Sequence, residues 1–160
     1  MNTAATALQA APWKRLVLIV VIYLAFVSLG LPDGVHGLAW PGMRIALGQP
    51  VEALGLVTSI LACCSAISGF VSGRVLARFG TGPVTFVSAL TTGLAILGFS
   101  QAGSFAMVVA LAFPLGFGAG SVDAGLNHFV AEHLSSRHMN WLHACWGVGA
   151  TLGPSMVGAV

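Results

Sequence analysis

The sequence predicts an all-α integral membrane protein with five transmembrane helices. Only 6% of its 160 residues are charged and 57% are hydrophobic, whereas a soluble domain carries about 25% charged residues. Five apolar segments follow one another along the chain, each near the ~20 residues needed to cross a bilayer. All five are expected to be helices, because a backbone exposed to lipid must satisfy its own hydrogen bonds.

The chain divides into a short tail and a membrane region. Residues 1–12 are predicted to form a disordered cytoplasmic tail, and residues 13–160 to form the transmembrane part. The charged start and apolar run of the first segment resemble a signal peptide, but no convincing small-residue cleavage site follows. We therefore interpret it as a membrane helix, and predict spans at residues 16–38, 51–76, 84–99, 105–130 and 141–160.

The basic residues predict the orientation. With the N-terminus inside, five of the six fall on the cytoplasmic side, and only Arg44 falls outside. This bias is typical of the cytoplasmic (inner) membrane with a cytoplasmic N-terminus. The five are Lys14, Arg15, Arg74, Arg78 and Arg137. The short uncharged connection at residues 100–104 predicts a tight hairpin of spans three and four, and tryptophans at the span ends are expected to anchor them at the interface: Trp13, Trp40 and Trp141.

Several classes of site are not expected. The basic residues are scattered, so the chain lacks the basic patch of a nucleic-acid-binding protein. The adjacent Cys63 and Cys64 are interpreted as small core residues. No metal or cofactor is predicted, because the spacing HFVAEH misses both helical zinc patterns and the glycines of GFGAG lack the lysine of a phosphate-binding loop. That spacing places His128, Glu132 and His133 in one helix.

The stretch GFGAGSVDAGLNH in span four is the strongest candidate for a functional site. Its glycines, Gly116, Gly118 and Gly120, predict a helix face thin enough for close approach of a neighbouring helix. Asp123 and Asn127 are four residues apart, so they share a face of that helix. A carboxylate in hydrocarbon costs several kcal/mol, so we expect Asp123 to face a protein interior or a water-filled cavity.

Other polar residues lie near the predicted span ends. Asp33 follows Pro32 in span one, and the proline is expected to break or kink that helix and expose backbone groups. Asn140 and His143 are three apart on one face of span five. Simpler interpretations stay open: Asp33 as a carboxylate at the outer interface, Asp123 as a structural hydrogen-bonding group, and Asn140 with His143 as interfacial residues.

Two patterns resemble the major facilitator superfamily. Between spans two and three, GRVLARFGTG resembles its cytoplasmic loop signature, matched by Gly73, Arg78 and Gly80. Ala77 stands at the usual acidic position and Gly82 at the last basic one. In span five, four residues resemble the glycine–proline motif of the fifth helix, which is often linked to exporters: Gly149, Gly153, Pro154 and Gly158.

A third pattern is similar to the fucose permease branch, the sugar–proton symporters. It combines LGLPDGVHGLAWP in span one, GSVDAGLNHFV in span four and MNWLHACWGVGATLGP in span five. Branch members carry acidic residues in helices one and four and an asparagine after the second, which Asp33, Asp123 and Asn127 match; His128 stands where proline is frequent. The resemblance implies a proton-coupling or substrate site at Asp33, Asp123, Asn127, His128, Asn140, His143 and Trp146.

The same resemblance implies the architecture and the activity. Members have twelve helices, so the chain is expected to be an incomplete N-terminal six-helix bundle that lacks its C-terminal partner helices. We expect a secondary active transporter, not an enzyme, that moves a small polar solute such as a sugar across the lipid bilayer with protons. Two alternatives stay open: a multidrug-type exporter of the same superfamily, and a small membrane-packing or interaction protein. An intramembrane enzyme is not favoured, because the sequence shows no nucleophile–base set.

Overall fold

The computed structural model describes residues 12–157 and contains five helices and no strand within that range. The predicted all-α class is therefore confirmed. The helices are α1 (Pro12–Ala46), α2 (Ala53–Phe79), α3 (Thr81–Ser100), α4 (Phe105–His133) and α5 (Ser136–Val157). The first four are long and apolar enough to cross a membrane. The fifth is less apolar, because polar residues such as Arg137 and Asn140 occupy its first turns.

The helix ends differ from the prediction mainly in α1 and α5. Residues 1–11 of the predicted tail lie outside the described residues, and Pro12, its last residue, begins α1. Gly158 of the predicted helix-5 motif also lies outside the described residues. The α1 helix continues to Ala46 instead of ending at residue 38, and it is not broken at Pro32. Proline is tolerated inside a membrane helix where neighbouring helices accommodate the freed backbone groups. The α5 helix begins at Ser136 rather than at residue 141.

The α1 and α5 helices form a parallel pair whose backbones touch. A Cβ atom built on Gly149 would overlap the backbone carbonyl of Val27, and one built on Gly153 would lie 2.5 Å from the carbonyl oxygen of Leu31. Such an approach is possible only where small residues thin the helix surface. Each helix supplies two glycines to the contact, which are Gly30, Gly34, Gly149 and Gly153.

The α4 helix lies between α2 and α3. Its three glycines do not lie on one face, so the predicted common face is wrong. A Cβ on Gly116 or Gly120 would meet the α2 backbone, 2.7 Å from the carbonyl oxygen of Leu61 and 2.5 Å from that of Ser65. A Cβ on Gly118 would instead lie 2.9 Å from the carbonyl oxygen of Ser88 in α3. The pairing with α2 is parallel, and α3 forms the predicted antiparallel hairpin with α4.

Two apolar clusters close the bundle at opposite ends. The first cluster joins the beginning of α1 to the end of α4 and the beginning of α5 through Ile22, Phe26, Val122, Leu126, Phe129, Val130 and Leu142. The second cluster joins α2 to the beginning of α4 through Val57, Val108 and Ala112, and the end of α1 packs on it. A cavity lies between these clusters, in the middle of the bundle.

The structure corrects the predictions for one tryptophan and one cysteine. Trp40 is not an interfacial anchor, because only 3% of it is exposed and its indole Nε1 donates to the carbonyl oxygen of Val51 at 3.0 Å. Trp13 and Trp141 are more than half exposed. Of the adjacent cysteines, Cys64 is a buried core residue and Cys63 is exposed.

Candidate functional site

A cavity of about 350 Å³ opens in the middle of the bundle, with walls from all five helices. This volume lies within the roughly 300–1,000 Å³ of typical small-molecule sites. Leucine side chains form part of the wall, and the polar and aromatic members are Asp33, His36, Thr58, Ser65, Thr92, Asp123 and Trp146. The cavity can therefore hold a small molecule that presents both apolar and polar groups.

Asp33 reaches the cavity from α1 and is held there by α5. Its Oδ2 accepts a hydrogen bond from the indole Nε1 of Trp146 at 3.1 Å. The bond lies beside the close contact of Gly34 with the carbonyl of Ala150, so the two helices cannot easily separate around it. The carboxylate therefore has a fixed position in the wall.

Asp123 reaches the same cavity from α4. Its Oδ1 accepts a hydrogen bond from the Nδ2 amide of Asn127 at 3.0 Å, one helical turn away. The Oδ1 atom of Asn127 is buried and has no hydrogen-bond partner among the described residues, so an acceptor remains free beside Asp123.

The cavity brings together three of the predicted residues, Asp33, Asp123 and Trp146, with Asn127 attached through its hydrogen bond. The other three lie elsewhere. His128 is half-exposed, with its Nε2 3.4 Å from Oε1 of Glu132. Asn140 is exposed in the first turns of α5. His143 contacts the ring of Phe26 edge-on, with 6.3 Å between the ring centroids, and does not line the cavity.

Four polar residues of the wall were not among the predicted site residues. His36 follows Asp33 by three residues, so the shared helix face could have indicated it. Thr58 and Ser65 are seven apart in α2, and this spacing also predicts a common face. Thr92 gave no signal, because its position depends on how α3 packs on Gly118.

The loop residues that resemble the superfamily signature lie away from the cavity. Gly80 joins α2 to α3 with φ of +81°, and its N–H donates to the carbonyl oxygen of Leu76 at 2.8 Å. A positive φ favours glycine, because a Cβ would clash there. The guanidinium of Arg78 lies 5.6 Å from the ring centroid of Phe79. A Cβ on Gly73 would meet open space, so packing does not require that glycine.

The family follows from a comparison with known protein families. The family model described as Major Facilitator Superfamily matches residues 22–160, and the chain therefore belongs to this superfamily. It is an integral membrane protein and, in general terms, a secondary transporter of a small solute within the lipid bilayer; members of the superfamily are generally not enzymes. A search of curated proteins gave no match, and a search of solved structures gave none.

Proposed function

We propose that the chain takes part in proton-coupled transport of a small polar solute, a sugar as the resemblance to the fucose permease branch implies. One observation carries the proposal: Asp33 of α1 and Asp123 of α4 line a single cavity of about 350 Å³. Ionisable residues within membrane spans are rare because they are costly, and they typically mark substrate pathways or proton relays. Two in one cavity support coupled transport more than a structural role.

The hydrogen bonds of the two carboxylates support different roles for them. Asp33 is tied to Trp146 across a helix interface, and we assign it to contact with the solute. Asp123 is bonded only within its own helix, to Asn127, and we assign it to the coupled proton. A proton can leave and return there without breaking a contact between helices.

We also propose how the chain is oriented in the membrane and which helices of a larger bundle it forms. The N-terminus would lie in the cytoplasm and the chain in the cytoplasmic membrane, which is supported by the five-to-one distribution of basic residues. The five helices would correspond to the first five of a six-helix N-terminal bundle. The superfamily has its sites at the interface of repeated helix groups, and the position of Asp33 and Asp123 in the first and fourth helices fits that arrangement.

The proton role is tested with Asp123→Asn in the protein as the cell makes it. The substitution keeps the size and a hydrogen-bonding group but removes titration. In vesicles, exchange of a labelled sugar that the wild type accumulates should persist, and uphill accumulation driven by a pH gradient should be lost. Glu132→Gln is the matched control, because Glu132 lies on the same helix outside the cavity with half of its side chain exposed; it should accumulate normally.

Two results would contradict the assignment. Normal accumulation by Asp123→Asn would place the proton on another group. Failure of this variant to fold, with Glu132→Gln folding normally, would mean that the Asp123–Asn127 hydrogen bond is structural. Asp33→Asn provides the comparison, since loss of a solute contact should weaken exchange and accumulation together.

The second candidate is a multidrug-type exporter, favoured by the apolar part of the cavity wall. Leu29, Leu61 and Leu115 line the cavity together with the Trp146 ring, and such a surface suits flat apolar cations as well as the apolar face of a sugar. A panel of labelled sugars and lipophilic cationic dyes separates the two. Efflux of dyes without sugar uptake would replace the proposal above with this one.

A further inference from the structure

A second cavity, of about 230 Å³, lies on the other side of α4 between α2 and α3. Its apolar wall includes Ile67 and Val71 of α2 and Phe117 of α4, all of them exposed. We call this cavity the α2–α4 groove. The first cavity uses Gly116, Ala119 and Asp123 of α4, so the two cavities are separate. Nothing in the transport site accounts for the groove.

The hydroxyl groups in the α2–α4 groove already have partners. Ser68 donates to the carbonyl oxygen of Phe117 at 2.9 Å and shares a hydrogen bond with Ser121. The Ser72 hydroxyl donates to the carbonyl oxygen of Gly69 at 2.6 Å. Because these groups are satisfied, the groove offers a hydrocarbon surface rather than a polar site. An alkyl chain fits it better than a polar solute does.

Two exposed arginines continue the face of α2 that lines the groove. Arg74 and Arg78 follow Ile67 by seven and eleven residues, which is the spacing of one helix face. A rise of 1.5 Å per residue puts them about 4.5 and 10 Å beyond Val71 along the helix axis. Neither forms an ion pair with another residue in the described range.

The α2 and α3 walls of the groove carry no negative charge near the two arginines. The chain has four acidic residues, which are Asp33, Glu52, Asp123 and Glu132. None of them belongs to α3 or to the second half of α2, and Glu52 precedes the opposite end of α2. Glu132, near the end of α4, has its Oε1 3.4 Å from Nε2 of His128. The α2 side of the groove therefore ends in two basic groups without an ion pair among the described residues, which would attract an anion.

We propose that the α2–α4 groove binds one anionic phospholipid, with an acyl chain against Ile67, Val71 and Phe117 and the phosphate on Arg74 and Arg78. The guanidinium group of arginine matches phosphate with two parallel hydrogen bonds. Anionic lipids concentrate in the cytoplasmic leaflet, where basic residues next to a membrane helix attract them.

The test counts lipids bound to the purified protein. Native mass spectrometry should detect one retained phosphatidylglycerol per chain, in preference to phosphatidylcholine with the same acyl chains. The double variant Arg74→Gln with Arg78→Gln should weaken this binding about thirtyfold, the effect of two basic side chains at an anionic surface. Lys14→Gln with Arg15→Gln is the matched control, because it removes the same charge from α1, and it should leave binding unchanged.

A second variant tests the apolar half. Val71→Trp should fill the groove and reduce binding of phosphatidylglycerol while both arginines remain. Full competition by glycerol phosphate, which has no acyl chain, would overturn the proposal in favour of a free anion site. Unchanged binding in the double arginine variant would overturn it as well. So would a shift from dimer to monomer in Val71→Trp, since a second copy of the chain would then occupy the groove.

Discussion

The α1–α5 and α2–α4 pairs are both parallel and both packed backbone to backbone, but they reach that contact differently. Both helices of the α1–α5 pair supply glycines, and every added Cβ would meet a backbone carbonyl or amide of the partner. In the α2–α4 pair only α4 supplies glycines. The nearest α2 atoms to a Cβ added there are again backbone carbonyl oxygens, those of Leu61 beside Gly116 and of Ser65 beside Gly120.

This difference bears on what each pair holds in place. In the α1–α5 pair, glycines on both helices keep the backbones close around the Asp33–Trp146 hydrogen bond, which joins the two helices. In the α2–α4 pair the carboxylate, Asp123, is hydrogen-bonded within its own helix. One acid held across a helix pair and one acid bonded only within its helix fit the proposed site, in which Asp33 holds position while Asp123 exchanges its proton.

The largest effect is expected from Gly149→Leu. Its Cβ would overlap the carbonyl of Val27, so α1 and α5 cannot stay in contact, and overpacking of this kind costs about 3 kcal/mol or more. We expect loss of the folded protein, measured as a lowered thermal midpoint or as rapid proteolysis. Gly147→Leu is the control, because a Cβ there meets open space. Equal stability of the two variants would disprove the close α1–α5 contact.

A smaller effect is expected from Gly120→Ala in α4. The added methyl group would lie 2.5 Å from the carbonyl oxygen of Ser65, whereas in Gly125→Ala the nearest atom is Oγ1 of Thr85 at 3.3 Å. We expect Gly120→Ala to cost about 1–3 kcal/mol and Gly125→Ala less than about 1 kcal/mol. Thermal unfolding in the same detergent measures both. A reversed order would mean that α2 and α4 are farther apart than described.

The smallest effect concerns the link between Asp33 and Trp146. Trp146→Phe keeps an aromatic ring but removes the N–H donor, and Asp33→Ala removes the acceptor. A double-mutant cycle of thermal stability should give a coupling of about 1 kcal/mol, the typical net value of one hydrogen bond. Trp141→Phe paired with Asp33→Ala is the control and should give no coupling. A coupling free energy of zero in the Trp146 cycle would mean that the hydrogen bond from Trp146 does not hold Asp33 in place.

The sequence predicted the fold class and part of the site for identifiable reasons. Apolar segments of bilayer length indicated the helices, and the cost of a carboxylate in lipid singled out Asp123. The i, i+4 spacing then indicated its partner Asn127, which the structure shows as a hydrogen bond. In each case the signal is local, since it needs only neighbours on one helix.

What the sequence could not supply is the contact between helices. Gly30 and Gly34 were overlooked, because only their approach to α5 shows why glycine is needed there. Gly118 was assigned to the same face as Gly116, although two residues turn the helix by more than half a circle and direct it to α3. The burial of Trp40 and the separation of His128 from the cavity likewise depend on packing.

One measurement tests most directly whether Asp33 and Asp123 face one cavity from two helix pairs. In a variant whose three cysteines are replaced by alanine, Asp33→Cys with Asp123→Cys is treated in native membranes with a short crosslinker that joins two thiols. Asp33→Cys with His128→Cys is the matched control, since His128 does not line the cavity. We expect an intramolecular crosslink in the first pair and none in the second. Absence of the crosslink in the first pair, with both cysteines reacting individually, would contradict the shared site.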